Sequence, residues 1–315
     1  MTPLLLAALA AAAPVPAPVR KAVEAYAPIV RFHPQEQYFP ISAERYLAIT
    51  QPVGNGLRLK PGAPRGGDLA TAKVYANVKV SDRTSDIQYW FLYAYNGPGI
   101  AYLKYLGKNL RFQPLPDAVM APCGRHEGDW EHVTATVDNR TGALLSLYLA
   151  QHGHGQNIKP YKLQNGRVVI YASKNGHASF PVEGRHYYEE KKFGPIEFRL
   201  VNLVAKGRAF DSRGRVQIIG AHRLGGGAQA ASLEIPAAPW MKYTGRWGYE
   251  EKHPREALKA QMKQSLGSSG AKAMERFGGL KLLDTILDKA GIRGECFAEA
   301  GPTPPWSKGN WKGAE

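Results

Sequence analysis

Cysteine is scarce: the 315 residues include two, Cys123 and Cys296. That excludes a disulfide-dense scaffold and, with no thiolate spacing around either residue, a zinc ribbon. It leaves room for one bridge, which in an oxidising compartment would tie the C-terminal segment to the entry of a central polar motif. Long apolar runs are lacking too. Leu4–Ala13, within MTPLLLAALAAAAPVPAP, falls short of the about 20 residues that span a bilayer. Its length and the small residues after it fit a signal peptide over 1–18, although no Lys or Arg precedes it. A secreted or periplasmic location is therefore expected. Catalytic signatures are also absent. The sequence has no His-Glu-x-x-His, no nucleophile elbow and no Gly-rich phosphate loop. Acidic residues are outnumbered, 26 against 41 Lys and Arg, for a net charge of +15. That sign favours an anionic glycan or lipid surface, or simply a soluble cationic exterior. No basic tail or nucleic-acid module accompanies it, and a monomer is expected.

What is present reads as short strands separated by turns. Thirty-four Gly and 23 Pro suit many turns better than a helical bundle. A short helix is expected over Arg20–Ala27. Strands are expected over Lys73–Val80, Ile87–Tyr95, His132–Val137, Leu144–Ala150, Arg167–Ala172 and Ile196–Val204. Asp138–Gly142, Gln164–Gly166 and Lys174–Gly176 carry turn residues between them. The pattern predicts a mainly β chain, an antiparallel β-sandwich over 19–251. From Pro254 to Ala290 the apolar spacing turns helical, broken at Gly267-Ser268-Ser269-Gly270. This predicts a C-terminal helical insertion, a basic pair over 252–292 that packs on the sandwich or lies on a membrane. A tail over 293–315 would pack back on the sandwich.

The densest polar run is His126-Glu127-Gly128-Asp129-Trp130-Glu131-His132. Strand alternation puts Asp129 and Glu131 on the face of Val133, Ala135 and Val137, and Trp130 and His132 on the other. Two carboxylates leading an apolar face need compensating charge. A divalent cation, Ca²⁺ or Mg²⁺ in preference and Zn²⁺ as an alternative, would supply it, held by His126, Asp129 and Glu131. A hairpin pairing Val137 with Ala143 would put Gln151 beside Asp129 and Leu149 beside Glu131, and bring His152 and His154 near. The segment Ser173–Ser179 adds His177 at the end of a third strand. Each histidine taken alone also reads as an ordinary hydrogen-bonded residue, and Trp90, Tyr93 and Trp130 read most simply as core.

The segments YAPIVRFHPQEQYFPIS (26–42), DIQYWFLYAYNGP (86–98), HEGDWEHVT (126–134), LYLAQHG (147–153) and VIYASKNGHASFP (169–181) resemble the vacuolar protein sorting-associated protein 62 family. YTGRWG (243–248) and GPTPPWSKGNW (301–311) resemble its usual finish. The likeness spans most of 26–311, except the helical stretch 252–292, and it implies no chemistry. A smaller likeness links His126, Asp129, Trp130 and Glu131 to the GHRHDWE heptapeptide of the necrosis-inducing toxin family. That resemblance implies a β-sandwich whose His, Asp and Glu help hold a divalent cation at a membrane-facing site. Gly128 stands where that motif has its second His, Glu127 where it has Arg, and Asn96 is the nearest counterpart of an upstream acid.

Three functions follow. The chain is an exported, metal-dependent binding protein for a polar or anionic glycan or lipid head group, in the manner of a toxin. Or it is a hydrolase or lyase acting on an extracellular polymer, with His177, Glu131 and His152 as catalytic groups. In a metal-free form, His177 would be the base and Tyr171 or Tyr93 the acid. Or it is a structural or trafficking module with a stabilising cation.

Overall fold

The structure is a computed structural model. It describes residues 15–106, 112–114, 117–121, 123–193, 196–223, 231–232, 238–249, 253–276, 281, 284–285, 287–288, 295–296, 301–309 and 311–312. Most of the signal peptide expected over 1–18, residues 1–14, lies outside them. Val15 is buried in the main core, and helix α1 (Ala17–Ala25) already begins at Ala17.

The chain is mainly β. After α1 come β1 (Ile29–Arg31), α2 (Ala43–Ile49) and the hairpin β2 (Thr50–Val53) and β3 (Gly56–Leu59). Helix α2 starts at Ser42, whose Oγ accepts the Arg45 N–H at 3.3 Å. There follow β4 (Val74–Val80), β5 (Thr84–Asn96), β6 (Ile100–Leu106), β7 (Phe112–Pro114), β8 (Ala118–Val119), β9 (His126–Asp138), β10 (Leu144–Gln151) and β11 (His154–Ile158). Next are β12 (Val169–Ala172), β13 (Ser179–Phe180), β14 (Gly184–Phe193), β15 (Ile196–Val204), β16 (Ala209–Asp211), β17 (Val216–Arg223) and β18 (Ala231–Ser232). The end holds β19 (His253–Pro254), α3 (Arg255–Arg276) and β20 (Glu295–Cys296).

A seven-stranded sheet, β11-β10-β9-β5-β4-β17-β18, packs face to face on a four-stranded sheet, β13-β12-β1-β16. Ile87, Tyr89 and Phe91 of β5 and Val133, Ala135 and Val137 of β9 meet Val30, Phe32, Ile170 and Phe210 there. The other face of the larger sheet is covered as well. Trp90 and Trp130 pack with Tyr46 of α2 and with Trp240 and Trp247 near the C-terminal end. Each large apolar side chain buried this way contributes about 1.5–3 kcal/mol. Burial on both faces explains why β5 is apolar without alternation from Tyr89 to Tyr95. A third sheet, β14-β15-β6-β7, stands beside these.

Several expectations need correction. Two pairs are parallel, β1 with β12 and β4 with β17, so the sheets are mixed although mostly antiparallel. Strand β9 starts at His126, six residues ahead of the expected His132. An irregularity between Leu144 and Ser146 shifts the hairpin register, so Leu149 faces Val133 where Glu131 was expected. The helical break falls where Gly267 was read as a breaker: its φ of 62° and ψ of −170° interrupt α3. Arg255 of α3 ion-pairs with Asp284 at 3.0 Å and with Asp288, joining the two helical stretches. Cys123 is disulfide-bonded and neither cysteine is free, so the two pair across the chain.

Candidate functional site

The site arises where two central strands part. The β9–β10 ladder stops at Leu149↔Val133, because His152, at φ 55°, turns the chain back into β11. Strand β9 continues, paired with β5 as far as Asn96↔His126. Among the described residues, Asp129–His132 therefore have no strand partner on the β10 side. A cavity of about 600 Å³ opens in the gap. All four consecutive residues Asp129, Trp130, Glu131 and His132 line it, because a parted strand presents both faces and its edge. The opposite wall carries His152 and His154 from the β10–β11 turn and Asn202 of β15.

Gly128 sets the aim of the carboxylates. Its φ is +66°, and a Cβ there would lie 1.6 Å from the Trp247 carbonyl oxygen. The backbone rotation at this residue sends its neighbours to different faces. Glu127 accepts the Leu59 N–H at 2.6 Å on the side of α2, while Asp129 pairs with Tyr93 in the ladder and points to the sandwich interior.

Asp129 does not stand alone. Nδ1 of His177 donates to its Oδ2 at 2.9 Å, and Nε2 of His177 lies 3.8 Å from Oε1 of Glu36. The second distance is that of an ion pair and is too long for a hydrogen bond. Glu36 accepts the backbone N–H groups of Gln37, Tyr38 and Asn175 at 2.9, 2.9 and 2.7 Å. The His177 ring lies flat on Tyr93, with centroids 3.7 Å apart. Loop 173–178 delivers it through two positive-φ residues, Asn175 at 71° and His177 itself at 55°.

The electrostatics follow from this clamp. Burial disfavours the imidazolium, but Asp129 and Glu36 outweigh it and raise the His177 pKa to about 9. Burial pushes the Asp129 carboxyl up; the bond and charge of His177, with His126 and Lys308 behind them, outweigh it and hold Asp129 below the ordinary range. Glu36 is held down in the same way, by His177 and then by its backbone donors, against burial. His132 differs. Burial, with the nearby Lys308 charge, lowers its pKa to about 3, so it is neutral at pH 7. Its Nδ1 lies 3.4 Å from Nε2 of Gln88, whose Oε1 accepts the Trp90 indole N–H at 2.7 Å.

Of the residues singled out from sequence, His126, Asp129, Glu131 and His152 line one cavity. His126 donates from Nδ1 to the Gly128 carbonyl at 2.8 Å, and His152 donates from Nε2 to Oδ1 of Asn202 at 3.2 Å. His177 is behind Asp129 and off the cavity wall. Its two ring nitrogens face Asp129 and Glu36. Tyr171 sits in a separate apolar cluster, and Tyr93 meets His177 by its ring face, so the pairing of His177 with a tyrosine acid does not form. Gln151 turns away to the Ser179 carbonyl at 2.9 Å.

Glu36, Asn202 and Lys308 were missed. Lys308 lines the cavity with Nζ 5.1 Å over the Trp90 ring, and it comes from the Trp-rich C-terminal segment 301–311. Among the described residues, no three His, Cys, Asp or Glu side chains converge as a metal-holding group. His177 is ion-paired with Asp129, and the Lys308 charge acts on Asp129 and Glu131 at longer range.

Comparison with known proteins gives a family finding. The family model described as vacuolar protein sorting-associated protein 62 matches residues 62–315. No curated protein and no solved structure matches the chain.

Proposed function

The chain belongs to the vacuolar protein sorting-associated protein 62 family, a kinship without stated chemistry, and from the site's geometry we propose that it is an exported protein that binds a hydroxyl-rich glycan between β9 and β10. One observation carries this reading: an Asp129 carboxylate locked in its ionised, acceptor-only form by buried His177 and facing a cavity with Glu131. A fixed carboxylate takes two sugar hydroxyls in bidentate fashion, and charge-assisted bonds of this kind are about twice as strong as neutral ones. Tyr188 and Trp130 give the cavity aromatic surface for the C–H faces of a sugar ring. The disulfide at Cys123 and the apolar run Leu4–Ala13 support export.

A second reading, hydrolysis of a glycosidic bond, is favoured by the presence of two carboxylates, Asp129 and Glu131, in one cavity. Asp129 would stabilise positive charge developing on the sugar, and Glu131 would carry the proton. Calorimetry against neutral and acidic oligosaccharides, alongside an assay for new reducing ends, tests both. Asp129→Asn should weaken binding at least about tenfold, equivalent to about 1.4 kcal/mol. Absence of binding across such a panel, or affinity unchanged in the variant, sinks the proposal. Titration of chelator-treated protein with Ca²⁺, Mg²⁺ and Zn²⁺ shows whether a cation joins Asp129 and Glu131.

A further inference from the structure

Lys308 is held in place from both sides. Ahead of it, the Trp247 N–H donates to the Pro302 carbonyl at 2.7 Å, and Nη1 of Arg246 donates to the Gly301 carbonyl at 2.8 Å. Trp306 packs on Trp240 and Trp247, with centroids 5.6 and 6.1 Å apart. The Lys308 N–H closes a turn onto Pro305 at 3.2 Å. Beyond it, Oγ1 of Thr134 donates to the Trp311 carbonyl at 2.7 Å, and Nζ of Lys312 meets Asp86 at 2.5 Å. The 301–312 strap thus runs from Trp247 to Thr134 of β9 and sets one ammonium over Trp90 at the cavity wall.

That ammonium carries three N–H donors. Among the described residues it makes no hydrogen bond and no ion pair; its close contact is the Trp90 ring face. The charges of Glu131 and Asp129 favour it from further off, but burial outweighs them and lowers its pKa. A half-buried cation without a hydrogen-bonding partner gains from an arriving anion. Lys174 adds a second positive group to the cavity lining, its Nζ bonded to Oε1 of Gln35 at 2.9 Å.

We propose that the ligand of this cavity is an acidic sugar, a uronate whose carboxylate pairs with Lys308 while its ring hydroxyls bond to Asp129 and Glu131. The inference rests on the glycan reading above and narrows it. A neutral sugar offers hydroxyls to the two carboxylates and brings no charge to Lys308. A simple anion satisfies Lys308 and meets repulsion from Asp129 and Glu131. A uronate carries both kinds of group on one ring, and the overall charge of +15 favours its approach.

The test is calorimetry on the full chain with a uronic-acid tetrasaccharide and its carboxyl-reduced, neutral counterpart. The wild type should bind the uronate at least about tenfold more tightly. Lys308→Met should erase that preference and keep the affinity for the neutral sugar, and Lys308→Arg should retain most of it. Equal affinity of the wild type for the two sugars overturns this inference and leaves the glycan reading standing. So does a Lys308→Met variant that loses both ligands alike, which marks a structural role. Binding of neither sugar overturns both. Thermal unfolding of each variant shows that it is folded, and binding to anionic phospholipid vesicles in place of the uronate also overturns the proposal.

Discussion

Raising the pH from 6.5 to 9 should cost this protein about 3 kcal/mol of stability through His177 alone. The folded pKa of this group is raised from 6.5 to about 9, so in that window the folded chain holds a proton that the unfolded chain releases. Its contribution is complete below pH 6.5 and is lost as the pH climbs through 9. The size follows from about 1.36 kcal/mol per pH unit over that interval. The side chain is fully shielded, which leaves the interaction unscreened by salt. Urea unfolding at half-unit pH steps from 6 to 10 measures the effect. His177→Gln supplies the comparison: it should be less stable at pH 7 by about 3–5 kcal/mol, since Asp129 and Glu36 lose their shared cation, and nearly flat across the window. If that variant does not fold, Asp129→Asn serves, because removing one carboxylate lowers the His177 pKa and narrows the sloping region. A wild-type stability that stays level between pH 6.5 and 9, or a fall of equal size in the variants, refutes the clamp.

Three other outcomes are expected. His132 has the opposite sign: its folded pKa is lowered to about 3, so its contribution is present above pH 6.5 and drains away as the pH falls toward 3, a loss of about 5 kcal/mol that His132→Gln should remove from the acid limb of the same titration. Gly128→Ala should cost roughly 3 kcal/mol or more, because a Cβ would lie 1.6 Å from the Trp247 carbonyl oxygen, whereas Gly54→Ala, at φ 57° with open space around it, should cost about 1 kcal/mol; thermal denaturation of the pair separates collision from backbone strain. Cys123→Ser should lower stability by about 2–4 kcal/mol, and a reductant should lower the wild type to the level of the variant and leave the variant unmoved.

The legible part of the site was the local part. Asp129 and Glu131 could be placed with Val133, Ala135 and Val137 because a strand alternates with period 2, and that rule holds from Asp129 onward. It fails one residue earlier, where the positive φ of Gly128 swings Glu127 to the opposite face. Nothing in the spacing of a heptapeptide announces a left-handed glycine facing a carbonyl that arrives 119 residues later. Two carboxylates on an apolar face announce a need for compensating charge. That His177 and Lys308 stand near Asp129 is not legible there, because they approach from distant segments. The same holds for the fold. Strand positions such as β4 and β10 follow from composition and turns, whereas the parallel pairing of β4 with β17 depends on chain paths that no local pattern encodes.

The strap that carries Lys308 gives residues 301–312 an influence over when the cavity becomes complete. During synthesis, the sheets, the His177 clamp and both carboxylates emerge first. The amine over Trp90 and the cover on β9 come only with residues 301–312. A chain stopped short or trimmed at this end would keep most of the sandwich core and lose Lys308 and Pro302 from the cavity wall. Integrity of the strap is therefore read out at the site itself, and a fold assay would not distinguish a chain lacking it from the full one as sharply as a ligand would.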